Sequence, residues 1–427
     1  MRRPPELTRP ASRGRLSPLS RSVLFIAMLG SCVVLKEPAP FDILITIWMG
    51  LFLTSGMLGY LSRYRFAILG ASLIAVTTVI GFPFTPAENF NIRFTAISLY
   101  MIAIWFSLIF AMPRCGDDVG KAVVVGWTLS AFVTTAMSDI IYFFRLPGAE
   151  IVVHGGRMFG LFKDANVFTA ALILPLLASI TRSVSQRGWR RVFWVISAAV
   201  IASGLFLGYS RGAWISAFIS LFALLGLTLI SRARPGTSLR TLVAFSVGML
   251  VISVLIRSLL ENREIADFFA HRSQIQSYDS DRFFTQFEAL DAFFSNPLGY
   301  GPGISERMFS RAIHNLYIRA MVENGAIGLF GLLVLLGSSI AHSTMTAIRS
   351  RYADPHANAA VICACLWGVA VESVVIDTLH WRHFWVLLAL AWWVPSASTI
   401  TRERGRAGAD ATARPPGSSR GLPEAVS

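Results

Sequence analysis

The chain has 427 residues, 54% of them hydrophobic and only 15% charged, with a net charge of +14 and a mean hydropathy of +0.59. That balance excludes an ordinary soluble globular domain. Apolar runs of membrane-spanning length recur along the whole chain, which makes it an all-α polytopic membrane protein.

Residues 1–21 are basic and rich in Pro and Ser, and read as a disordered cytoplasmic tail. Twelve candidate spans follow, at 22–35, 41–61, 66–82, 94–112, 122–144, 167–180, 192–208, 213–231, 241–256, 316–341, 359–377 and 384–398. They divide the chain into a bundle of about nine spans over 22–256, a long loop over 257–315 and a bundle of about three spans over 316–398. Residues 399–427 form a second disordered cytoplasmic tail. The first span resembles a signal peptide, and Leu29-Gly30-Ser31-Cys32 a lipoprotein cleavage box, but with eleven spans following no cleavage is expected. The four cysteines, Cys32, Cys115, Cys363 and Cys365, lack metal-ligand spacing and read as packing residues.

The distribution of basic residues sets the orientation. With the N-terminus inside, most of the Lys and Arg fall on the cytoplasmic side, among them Arg63, Arg65, Arg182, Arg187, Arg190, Arg191, Arg349 and Arg351. The positive charge is then a topology signal rather than a nucleic-acid footprint, and both termini are cytoplasmic. Only the outer side has loops large enough to build a site, at 145–166 and 257–315.

The stretch 282–328 holds most of the chemistry. Phe283, Phe287, Leu290 and Phe294 share one helical face, as in a short amphipathic helix at a membrane–water interface. Asn296-Pro297 ends that helix, and Gly299, Gly301 and Gly303 supply a turn that lets backbone approach closely. His314 and Asn315 precede the tenth span. Asn315, Arg319 and Glu323 lie four apart and share a face. An acid and a base just inside a bilayer helix are costly and point to function. Glu323 either neutralises Arg319 or orients His314 or an arginine. His314 is either a helix-start cap or a general base, for which a neutral imidazole is suited.

Arg157 in GGRMFGLFKDAN, Arg211 in YSRGAW and Arg282 all fall on the outer face, where guanidinium forks match phosphate oxygens. Asp139, Glu372 and Asp377 lie in outer halves of spans and can counter these arginines, with Glu372 the deepest. Asp279-Ser280-Asp281 reads as a cap directly before a helix rather than a metal site. Gly325, Gly328 and Gly331 read as close-packing positions.

The string HNLYIRAMVENGAIG, preceded by Arg282 and NPLGYGPG, resembles the bacterial O-antigen ligase and polysaccharide polymerase family with its Wzy-C region. YSRG and the Arg157–Asn166 element resemble the same pattern. One departure is Ala165, where the family pattern has a proline directly before the Asn. The resemblance implies a GT-C-like membrane glycosyltransferase of the bacterial inner membrane, metal-independent and inverting, with no cofactor. It takes glycan from a polyprenyl-diphosphate carrier at the periplasmic face. The acceptor is lipid A–core for a ligase, or a second carrier-linked glycan for a polymerase. Carried onto this sequence, Arg211 and Arg282 hold the diphosphate, with Arg157 a weaker candidate. His314 takes the acceptor's proton, and Asn315, Arg319, Glu323 and Glu372 support the site. A transporter or flippase for a lipid-linked or anionic glycan is the rival reading, although no internal repeat is visible. Membrane lipid is an expected partner and nucleic acid is not.

Overall fold

The computed structural model describes residues 15–55, 62–85, 89–230, 260–274, 277–349 and 358–394, with isolated positions between 246 and 258. It is 78% helix. Helix α1 (Pro18–Leu29) starts inside the expected tail. Ser17 caps it, its hydroxyl accepting from the Ser20 N–H at 3.1 Å, and Pro18 takes the first helical position, where its missing N–H has no partner to lose. Helix α2 (Pro40–Thr54) repeats the device, with Asp42 accepting from the Ala39 N–H at 2.7 Å. Helix α3 (Arg65–Gly81) follows.

Helix α4 (Asn89–Phe143) merges the expected fourth and fifth spans, with a break at Cys115 two residues after Pro113. Proline removes one ladder hydrogen bond and crowds the preceding turn. Its 55 residues laid straight would run about 80 Å, far beyond the ~30 Å of a hydrocarbon core. The break thus separates two spans' worth of helix, where a loop over 113–121 was expected.

Helices α5 (Ala165–Ala171) and α6 (Ile173–Ser185) form one apolar stretch, followed by α7 (Trp189–Leu207) and α8 (Arg211–Ile230). The expected ninth span lies mostly outside the described residues. Then come α9 (Arg263–Ser273), α10 (Ser277–Ser295) and the single turn α11 (Ser305–Met308). Helix α12 (Leu316–Arg349) carries all but the first two residues of HNLYIRAMVENGAIG, and α13 (Asn358–Glu372) and α14 (Arg382–Leu390) close the described chain.

Among the described residues six helices are long and apolar enough to cross a membrane, at Ser62–Phe84, Asn91–Phe143, Ala165–Ser185, Trp189–Leu207, Arg211–Ile230 and Leu316–Ile348. Three shorter apolar helices, Pro18–Leu29, Pro40–Thr54 and Ala359–Glu372, accompany them. The burial pattern agrees with a lipid solvent. Trp48, Trp105, Trp385 and Trp393 fill the interior, while Ile43, Val76, Phe218, Phe222 and Phe330 face outward, each about half exposed. In water such a surface would aggregate. All four cysteines are buried and free, in keeping with a packing role.

Helix α3 packs along α12 where Gly70 meets Gly331, small residues letting two backbones come close. Gly331 therefore does what its sequence context implies. Gly325 does not. It breaks α12 at φ +68°, ψ −169°, a backbone region open essentially to glycine alone. The GYGPG turn heals the break. The N–H groups of Tyr300 and Gly301 donate to the carbonyls of Val322 and Glu323 at 2.8 and 3.0 Å, and the Ala326 N–H donates to Pro297 at 2.8 Å. Gly299, Gly301 and Gly303 all have positive φ, which is how this turn fits against the broken helix.

Candidate functional site

Arg157 lies on β2 (Arg157–Met158), paired antiparallel with β1 (Val153–His154). Its Nε donates to the Gly208 carbonyl at 3.0 Å and its Nη2 to Asn166 Oδ1 at 2.8 Å. One guanidinium thus ties the hairpin, the start of α5 and the turn before α8 together. Asp164 caps α5, accepting from the N–H of Asn166 at 2.5 Å and of Val167 at 3.4 Å. A capping aspartate fixes this helix start by hydrogen bonds, which is how the segment dispenses with a proline before Asn166.

The turn from α7 to α8 is only three residues long, and its centre, Tyr209, has φ +47°. A left-handed aromatic residue is strained, and burial over-determines it. Tyr209 is 1% exposed, lies edge-on to Phe268 with ring centroids 4.7 Å apart, and donates its hydroxyl to the Ile265 carbonyl at 3.4 Å. Phe206 and Phe269 stack beside it at 5.4 Å. This aromatic cluster docks α9, part of the expected outer loop, over the turn that carries Arg211. Arg211 Nη1 then donates to the Gln274 carbonyl at 3.2 Å.

Arg282 sits on α10. That helix turns Thr285 and Ala289 inward and leaves Phe283, Phe284, Phe287 and Phe294 exposed, so the expected aromatic face points away from protein. Leu290 is half-buried instead, in a small cluster with Ile313, Ile318 and Val322. Asp281 lies within the first turns of α10 rather than ahead of it, and pairs with Arg311 at 2.7 Å. The capping role expected for Asp279-Ser280-Asp281 therefore does not arise in that form.

His314 is half-buried directly before α12. Its neighbour Asn315 caps the helix, Oδ1 accepting from the N–H of Tyr317 at 2.9 Å and of Ile318 at 3.1 Å. The cap expected at a helix start is thus supplied by Asn315, which leaves the His314 ring out of that task. Burial pushes the His314 imidazole below its ordinary pKa; the positive charges of Arg282 and Arg319 act the same way, while Asp377 and Asp164 oppose them.

Arg319 is the buried hub. Its guanidinium meets Glu306 at 2.8 Å, Asp377 at 2.9 Å and Glu323 at 3.1 Å, and lies 5.1 Å from the Phe94 ring centroid. Glu323 also accepts from the Ser305 hydroxyl. Arg319 and Glu323 do pair within the helix, but two further carboxylates share the guanidinium. Asp377 also lies 3.8 Å from His380 Nδ1 and accepts from the Leu379 N–H at 3.0 Å. Asp377 thus meets Arg319, and Glu372, ranked first from sequence depth, is 1% exposed and lies alongside Gly212 and Ser216 at the start of α8, next to Arg211.

The turn after α13 links the two halves of the site. Glu372 and Val375 lie against Gly212, next to Arg211. The Ser373 carbonyl accepts the Leu316 N–H at 2.9 Å, and Asp377 acts on His314. Sequence reasoning passed over Asp164, Glu306 and His380 and did not pair Asp377 with Arg319. The visible signal was Asp164 directly before a helix start; the others come from turns whose partners lie far away in the chain.

Helices long and apolar enough to cross a membrane, with a buried cluster of charges around Arg319, are what a membrane protein with a polar centre presents. Residues 196–333 match the family model for O-antigen ligase. That stretch is therefore similar to O-antigen ligases, in agreement with the motif resemblance. The matched stretch contains Arg211, Arg282, His314, Asn315, Arg319 and Glu323, while Arg157, Asp164, Glu372 and Asp377 lie outside it. No curated protein matches the chain. This similarity and the apolar helices together support a membrane protein that handles glycan in the manner of O-antigen ligases and polymerases.

Proposed function

We propose that the protein is an inverting, metal-independent glycosyltransferase, moving glycan from a polyprenyl-diphosphate carrier to an acceptor hydroxyl at the periplasmic face of the bacterial inner membrane. In this reading the chain spans the membrane twelve times in a GT-C-like arrangement, with both tails cytoplasmic and 257–315 outside. The acceptor oxygen attacks the anomeric carbon and a new C–O bond forms. The C–O bond to the diphosphate breaks, its electron pair staying on the diphosphate oxygen. The hydroxyl proton passes to the His314 imidazole. Arg282 and Arg211 meet the charge that develops on the diphosphate, where fixed cations in a water-poor site are most effective. Arg157, bonded to Asn166 and Gly208, serves by holding the Arg211 turn in place. Asp377, Arg319 and Glu323 hold the start of α12, and with it His314, in register.

The observation that carries this reading is His314 itself. It is half-buried, relieved of capping by Asn315 and biased toward the neutral form beside Arg282. Neutral imidazole is the form that accepts a proton. Replacing His314 by Ala is expected to leave membrane insertion intact and to lower transfer by about 10²–10⁴-fold. Transfer near the wild-type rate in that variant, measured on membrane vesicles with donor and acceptor added, removes the assigned base. Deleting the gene and examining the glycan separates the two family activities. Single repeat units on lipid A–core indicate a polymerase, and full-length chains stranded on the carrier indicate a ligase.

A further inference from the structure

The early parts of α2 and α4 run side by side and in the same direction. Arg93 Nη2 donates to Glu37, just ahead of α2, at 2.9 Å. The Tyr100 hydroxyl, about two turns further along α4, donates to Asp42 Oδ1 in the first turn of α2 at 3.2 Å. Between these helices and the segment 380–382 lies a groove of about 1130 Å³. Its lining is layered along the helix axes. The charged groups gather where both helices begin, and Ile43, Ile47 and Ile97 follow. The two hydroxyls in this deeper layer are turned onto the protein, Thr46 donating to the Asp42 carbonyl at 2.7 Å and Tyr100 to the Asp42 carboxylate. Ile43 and Ile47 are about half exposed, so the apolar layer opens onto the surface that faces lipid. Charge at the helix ends and hydrocarbon below it is the layering of a membrane amphiphile lying along the helices.

The charges select the head. Three cations line the polar layer, Arg93, Lys163 and Arg382, against two carboxylates, Glu37 and Asp42. His380, in the same layer, is hydrogen-bonded to Ser98 at 3.0 Å. Asp42 takes up Arg382 through two bonds of 2.7 Å. Glu37 is left to serve both Arg93 and Lys163, at 2.9 and 3.6 Å, and their side chains are 64% and 47% exposed. One positive charge is in excess, on groups that a phosphodiester in the bilayer reaches without displacing the Arg382–Asp42 pair. A zwitterionic head brings a cation of its own and leaves that excess in place, whereas an anionic head cancels it.

We propose that the α2–α4 groove holds an anionic phospholipid of the bilayer, its phosphate between Arg93 and Lys163 and its acyl chains along Ile43, Ile47 and Ile97. Bound there, the lipid is a structural partner that balances the charge where the 380–382 segment meets α2 and α4. It is neither donor nor acceptor of glycan, and its binding is measured without any transfer.

The test uses the full-length protein in vesicles of equal phosphatidylglycerol and phosphatidylcholine, one or the other carrying a photoactivatable diazirine in its acyl chain, with the labelled peptides mapped by mass spectrometry. Phosphatidylglycerol is expected to label α2 and the first turns of α4 at least about fivefold more than phosphatidylcholine, the preference that one excess cation at a membrane surface confers. Arg93→Gln combined with Lys163→Gln leaves one cation against two carboxylates and is expected to bring the phosphatidylglycerol label down to the phosphatidylcholine level. Label at Phe218 and Phe222 of α8, which are exposed and do not line the groove, is expected to stay unchanged and reports that the variant is folded. Ala96→Trp, at an exposed position lining the groove, obstructs it without touching a charge and is expected to lower the label there from both lipids. Equal labelling by the two lipids, or phosphatidylglycerol label that survives in both variants, overturns the assignment. So does loss of that label on adding lipid A–core or a polyprenyl-diphosphate glycan at one equivalent, which would give the groove to a glycan-bearing lipid instead.

Discussion

A general base must be neutral before it can take a proton, and the surroundings of His314 settle its charge. Burial and Arg282 push its pKa down, and Asp377 and Asp164 push it up. Because the net shift is downward and the neutral form is the active one, transfer should stay flat through neutral pH. It should fall only below the ordinary histidine range near ~6.5. The neighbours move that acid limb in opposite directions. Arg282→Gln, which also weakens the diphosphate site, should shift the limb of the residual activity to higher pH. Asp164→Asn should shift it to lower pH. A pH profile of transfer in membrane vesicles reads both, and a limb that moves in neither variant means that His314 is not the titrating group. His314, Arg211 and Arg282 were visible as residues because charge is expensive in an apolar chain. Which acid meets which arginine was not visible, because depth in a span says nothing about direction: Asp377 reaches Arg319, and Glu372 lies against Gly212.

Helices in this molecule are positioned by short polar staples. Arg319 joins α11, α12 and the turn after α13 through three carboxylates. Arg319→Met would leave those acids buried and facing one another, and removing one partner of a buried charge set costs about 3–5 kcal/mol. A thermal unfolding measurement in detergent should show the loss, and a variant as stable as the wild type would mean that the acids are neutral without it. The break in α12 has a different cause. At φ +68°, ψ −169° Gly325 occupies a region that excludes even Asn. Gly325→Ala and Gly325→Asn should therefore both lower the melting temperature, by the equivalent of at least about 1 kcal/mol. Rescue by Asn would show that the backbone there is ordinary left-handed helix. The glycine was legible as punctuation but was taken for close packing. A helix break depends on what caps the freed carbonyls, and the caps come from Tyr300 and Gly301, more than twenty residues away.

The molecule places its candidate site where three distant parts of the chain converge: the 153–166 segment with its hairpin, the α7–α8 turn roofed by α9, and the junction of α10 with α12. In the proposed topology all three lie outside. A reporter fused within 257–315 should score as periplasmic and one within 183–188 as cytoplasmic, and the reverse pattern would remove the site from the side on which carrier-linked glycan is used. Hydropathy and charge asymmetry were enough to show a helical membrane protein and to propose which face carries function, because lipid admits few backbone solutions. Motif order marked the arginines and the histidine. Pairing was beyond reach of the sequence. Which acids meet Arg319, and what covers the break in α12, depend on groups brought together by packing between helices, and those contacts leave no period or spacing along the chain.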